Sequence, residues 1–93
     1  MIKTFAGEFA EAVWGGKVGK GFPPDLVRPA QRKLVMLAAA IEIGTLRQPP
    51  GNMLEELQGD RKGQHSIRIN DQWRVCFVWR EGDAYDVEIV DYH

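Results

Sequence analysis

A single cysteine, Cys76, stands in a chain of 93 residues, so no internal disulfide can form. No second Cys or His lies at metal-ligand spacing from it, which sets aside a metal site and makes a reducing cytoplasm the expected compartment. Cys76 itself reads as a small strand residue rather than a nucleophile. Long apolar runs are missing too. The longest mainly apolar stretch, Leu34 to Ile41, falls far short of the ~20 residues that a membrane-spanning helix needs. The start, MIKTFAGEFAEAVW, has no cationic segment followed by an apolar signal core, so a soluble, unprocessed protein with no membrane partner is expected. Neither sign of charge is in excess: the formal net charge of −1 argues against a chain that holds nucleic acid by bulk charge. Internal repeats and low-complexity segments are absent.

What is present suffices for one domain spanning residues 1–93. An apolar fraction of 44%, with three Trp and four Phe, supports a single modest core. The charges are unevenly placed. Arg61, Lys62, Arg68, Arg74 and Arg80 share a stretch whose only acid is Asp71, and Glu81, Asp83, Asp86, Glu88 and Asp91 follow with no cation among them. A neutral total therefore conceals a basic face.

Along the chain, alternation over Ile2 to Phe5 allows an initial strand, and Phe5, Phe9, Ala12 and Val13 at helical spacing predict a short helix over Ala6 to Trp14, stopped by Gly15-Gly16. Lys17 to Pro24 reads as a loop. Pro23-Pro24-Asp25 signals entry to a second helix running to about Ile43 and closed by Gly44, with Pro29 tolerable only in its first turn. Ala30, Leu34, Leu37, Ala38 and Ile41 form its predicted core face. Thr45 to Gly63, broken by Pro49-Pro50-Gly51-Asn52, reads as a long loop that delivers Glu55, Glu56, Arg61 and Lys62 to a sheet edge.

The sheet is predicted from period-two patterning. Ile67 and Ile69 alternate with Ser66, Arg68 and Asn70. Trp73, Val75, Phe77 and Trp79 alternate with Arg74, Cys76, Val78 and Arg80, and Val87 and Ile89 with Asp86, Glu88 and Val90. Asn70-Asp71 and Glu81-Gly82-Asp83 are the predicted turns of an antiparallel meander. The fold class expected is α+β, an N-terminal strand and two helices packed on one face of a mainly antiparallel sheet of about four strands. Strand parity puts Arg68, Arg74 and Tyr92 together on the face away from the core, and Asp91 on the core side.

Arginines on an open sheet face suit a phosphodiester, because guanidinium stays charged and can hold two oxygens. Tyr92 can stack on a base or ribose, and His93, with an ordinary pKa near ~6.5, can move a proton at neutrality. These are the parts of a ribonuclease without metal or cofactor: a base takes the ribose 2′-hydroxyl proton, cations stabilise the phosphorane, and an acid protonates the leaving oxygen. The plainer alternatives are solvated strand arginines, a frayed polar end, and an Asp91 that anchors an arginine. His65 reads as a packing or hydrogen-bonding residue.

The stretch LEELQGDRKGQHSIRINDQWRVCFVWREGDAYDVEIVDYH resembles the C-terminal half of HigB-type toxins of bacterial toxin–antitoxin pairs, within the RelE/ParE superfamily. The GDR turn, the SIRIND-QWR hairpin and the terminal VDYH occur in order at the family spacing, and the N-terminal layout agrees. The resemblance implies a RelE-like fold and a ribosome-dependent mRNA interferase that cuts mRNA in the ribosomal A site without a metal. It also implies neutralisation by a HigA-like helix-turn-helix antitoxin, through which alone operator DNA is contacted. Asp91, Tyr92 and His93 match the family's functional C-terminus, Arg68 and Arg74 its basic hairpin positions, and Arg61 and Lys62 its basic loop. The catalytic set expected is thus His93, Tyr92, Asp91, Arg74 and Arg68, with Arg61, Lys62, Arg68, Arg74 and Arg80 on RNA. Some members carry a catalytic histidine just before the GDR turn, where this chain has Glu55-Glu56-Leu57, so Glu55 is either a substitute base or a loop charge. A ParE-like inhibitor that binds DNA gyrase without catalysis, and a weakened toxin acting mainly through its antitoxin, are the competing readings.

Overall fold

The alternating runs at the C-terminal end produce a sheet because one face of each can be buried by helices while the other meets solvent. In the computed structural model, which describes residues 1–92, that sheet has four antiparallel strands in the order β1 (Glu55–Glu56), β2 (His65–Arg68), β3 (Trp73–Arg80) and β4 (Asp83–Asp91). Two helices, α1 (Ala10–Gly15) and α2 (Val27–Ala39), cover one face. Ala10, Val13, Ala30, Leu34 and Leu37 from the helices meet Ile67, Val75, Phe77, Val87 and Ile89 from the sheet, all buried. The α+β class expected from the sequence is the class found. Among the described residues no helix is long and apolar enough to cross a membrane.

Several elements differ from expectation, each for a local reason. The N-terminal segment makes two isolated parallel bridges to β4, Ile2 to Ala84 and Phe5 to Val87, and the fourth strand is instead Glu55–Glu56 from the expected loop. A bulge explains the interruption: between the pairs Cys76–Glu88 and Val78–Tyr85, β4 sets both Asp86 and Val87 against Phe77. Asp86 takes the left-handed conformation, φ 50°, and Thr4 Oγ1 accepts its backbone N–H at 2.8 Å.

Helix α1 begins later than predicted, after a turn at Gly7, whose φ is +71°. Helix α2 starts behind a 3₁₀ turn at Pro24–Leu26, with Pro29 inside the first turn where its missing N–H costs nothing. It ends at Ala39 rather than Ile43, because Ala40 turns to extended backbone, and Ile41 leaves the predicted core face to stand 81% exposed. The β2–β3 turn is held by Asn70, whose Oδ1 accepts the N–H groups of Gln72 and Trp73. The β3–β4 turn is shorter than predicted: Glu81 (φ 52°) and Gly82 (φ 82°) alone link the paired Arg80 and Asp83.

The stretch between α2 and β2 is ordered by one wholly buried amide. Asn52 Nδ2 donates to the carbonyls of Leu46 (3.1 Å) and Gln48 (3.2 Å), and its Oδ1 accepts from Lys33 of α2. Burial, then Arg32 and Arg68, lower the Lys33 pKa. Just after this anchor the chain turns at Met53, φ 45°, into β1.

Candidate active site

The sheet face turned away from the helices carries polar groups in rows fixed by strand register. One row runs Glu55, Ser66, Cys76, Glu88 across all four strands, and the next runs Arg68, Arg74, Val90. Arg74 lies at the meeting point. Only 10% of its side chain is exposed, so its donors need partners. Nε donates to Ser66 Oγ at 2.8 Å and Nη2 to the Met53 carbonyl at 2.6 Å, while Nη1 stands 3.8 Å from the half-exposed Glu55 carboxylate.

A second guanidinium reaches the same face from the 3₁₀ turn Gly59–Arg61. Arg61 Nη1 donates to Glu88 Oε1 at 3.1 Å and to Gln64 Oε1 at 3.0 Å, and the Glu88 hydrogen bond raises the Arg61 pKa. Beside both arginines lie Tyr92 and Cys76, close enough for each to influence the other's protonation. Burial pushes the Cys76 thiol up, and desolvation followed by the neighbouring Cys76 raises Tyr92, so at neutral pH both groups keep their protons. The backbone of Tyr92 is secured by its N–H, which donates to the Gln72 carbonyl at 2.6 Å. The face therefore offers two permanent cations, a protonated phenol and two carboxylates, with 40% of Tyr92 open to solvent.

The sequence-predicted residues divide on this map. Arg61, Arg74, Tyr92 and Glu55 come together. Arg68 shares the parity of Arg74, but its guanidinium is ion-paired with Asp71 at the hairpin end. Lys62 is exposed just after the Arg61 turn. Arg80 lies at the far end of β3, six positions or ~20 Å from Arg74, stacked over the Tyr85 ring at 4.6 Å. Asp91 pairs with Trp73 in register and accepts from Gln72 Nε2 at 3.1 Å. His93 lies outside the described residues. His65 stacks on Phe77, with ring centroids 6.2 Å apart, as a packing residue.

Sequence reasoning passed over Ser66, Cys76 and Glu88 as members of the cluster. Parity alone assigns all three to the open face, but the register that adds Glu88 to the row of Ser66 and Cys76 depends on the bulge, which no turn residue announces.

Comparison with known proteins gives a consistent picture. A family described as the RelE-like toxin of the type II toxin–antitoxin system HigB matches residues 3–93. Toxin HigB-1 of Vibrio cholerae is 45% identical over 62 residues, covering 67% of this chain and 65% of that protein. Endoribonuclease HigB of Proteus vulgaris is 34% identical over 93 residues, the whole length of both. Among solved structures, a mutant of YafQ from E. coli superposes over 98% of this chain and 91% of its own with a TM-score of 0.58; at 16% identity this likeness concerns the fold alone.

Proposed function

The chain belongs to the family of RelE-like HigB toxins of type II toxin–antitoxin systems, and from that premise we propose that it is an endoribonuclease that cuts mRNA in the ribosomal A site. The observation that supports this most is the joint approach of Arg61, Arg74 and Tyr92 to one open sheet face. The full-length relative named an endoribonuclease favours catalysis over a purely binding, gyrase-directed inhibitor.

In the proposed reaction the two guanidinium groups hold the non-bridging oxygens of the scissile phosphate, where charge grows as the phosphorane forms. A base removes the 2′-hydroxyl proton, O2′ attacks phosphorus, and the P–O5′ bond breaks as O5′ takes a proton. The products are a 2′,3′-cyclic phosphate and a 5′-hydroxyl. Glu55, 3.8 Å from Arg74, is the proposed base. His93 is assigned to the leaving oxygen, with Asp91 close in sequence, and the protonated Tyr92 hydroxyl donates to the phosphate. Arg68, Lys62 and Arg80 are assigned to longer-range contact with RNA phosphates. The proposed partners are the ribosome with its mRNA and a HigA-like helix-turn-helix antitoxin, which alone contacts operator DNA, and the compartment is the cytoplasm.

The test is incubation of purified protein with ribosomes carrying a defined mRNA, with cleavage mapped by primer extension. Cuts within the A-site codon are expected, and intact mRNA beside a cleaving relative would refute the proposal.

A further inference from the structure

Arg74 is the one cation of the candidate site whose side chain is almost wholly enclosed, and its surroundings sort its nitrogens. Ser66, itself 0% exposed, takes Nε at 2.8 Å, and the Met53 carbonyl takes Nη2 at 2.6 Å. That carbonyl is no chance neighbour: it follows directly on buried Asn52, which ties the preceding turn to Leu46 and Gln48. Nη1 points instead at the half-exposed Glu55.

We infer that Ser66 and the Met53 carbonyl are positioning elements for Arg74, fixing two edges of the guanidinium so that Nη1 faces the open sheet as the phosphate donor. This rests on the proposed ribonuclease reading and deepens it. A guanidinium fits because its donors diverge at set angles in one plane; an ammonium at the same place carries the charge but cannot satisfy a hydroxyl, a carbonyl and a substrate oxygen along those directions. Positioning of this kind acts where charge develops, so its loss falls on kcat more than on KM.

The test is single-turnover cleavage of ribosome-bound mRNA by Ser66→Ala, Arg74→Ala, the double variant and Arg74→Lys, with folding checked by circular dichroism. Ser66→Ala is expected to cut about tenfold slower or worse, given the strength of hydrogen bonds to charged groups. In the Arg74→Ala background the same change is expected to cost nothing further, because the group it orients is gone. Arg74→Lys is expected to be as impaired as Arg74→Ala. Full activity of folded Ser66→Ala beside an inactive Arg74→Ala overturns the positioning role and leaves the ribonuclease reading standing, as does a Ser66 loss that persists without Arg74. Should Ser66→Ala not fold, Arg74→Lys decides: wild-type cleavage overturns the role. Wild-type cleavage by Arg74→Ala overturns both this role and the assignment of the site.

Discussion

Glu88 of β4 holds Arg61 at 3.1 Å across the open face of the sheet, both side chains 29% exposed, and so brings a cation from a loop to Tyr92, just past the end of β4. A pair this accessible is worth only ~0–1 kcal/mol of stability. Its value lies in where the guanidinium ends up. Glu88→Gln is therefore expected to leave the melting temperature nearly unchanged and to slow mRNA cleavage severalfold. A thermal melt alongside the cleavage assay checks this, and a large stability loss with normal cleavage would reverse the interpretation.

Arg74 and His93 are expected to be required for toxicity. Replacing Arg74 by Ala removes a donor to the developing phosphorane charge, for which losses of ~10²–10³ in kcat are typical. Expression of Arg74→Ala or His93→Ala is expected to relieve growth inhibition. Unchanged toxicity in both, with soluble folded protein, would take these two residues out of the mechanism.

The raised Cys76 thiol gives a pH prediction whose sign is fixed. A thiol whose pKa is higher folded than unfolded binds its proton more tightly in the folded state. Its contribution is complete below the unfolded value, about 8.5, and is lost as pH rises from there through the folded pKa. The melting temperature is expected to fall more steeply above pH 8.5 for the native protein than for Cys76→Ala. In the same range the native thiol should react with a disulfide reagent far more slowly than the urea-unfolded chain.

Asn52 is expected to matter for stability out of proportion to its size. Its Ala variant strands the buried Leu46 carbonyl, frees the part-buried Gln48 carbonyl and removes the acceptor of Lys33, at ~1–3 kcal/mol for each buried group left unsatisfied. Urea unfolding is expected to show a loss of ~2–4 kcal/mol, with cleavage also reduced because Met53 loses its fixed place. A shift below ~1 kcal/mol would mean that the turn is held by other contacts.

Much of the fold could be read from residue order. Trp73, Val75 and Phe77 alternate with Arg74 and Cys76 without exception, so the face on which Arg74 emerges followed directly. Glu55–Glu56 could not be recognised as a strand: two exposed acidic residues have no period, and they pair with Ser66 and His65 only because Asn52 brings the chain there. The end of α2 was equally hidden, since Ile41 continues the apolar stripe and only the turn at Ala40 removes it. Within the site, the approach of Arg74 to Tyr92 was legible from parity. The engagement of Arg68 by Asp71 was not, because parity gives a side chain's face and not its partner.

Ala84 and Val87, both buried and an odd number of residues apart, can face the core together only because the bulge at Asp86 absorbs one residue between them. Flattening the bulge with Asp86 kept in the ladder would thus act as a frameshift in space. With Ala84 and the hairpin fixed, every later residue of β4 would change sides: Ile89 would turn to solvent, and Glu88 and Tyr92 would be driven toward the helices. Deleting Asp86, by contrast, would leave the register and faces of β4 as they are. Burying the core and assembling the site both rest on this one residue being held out of the ladder.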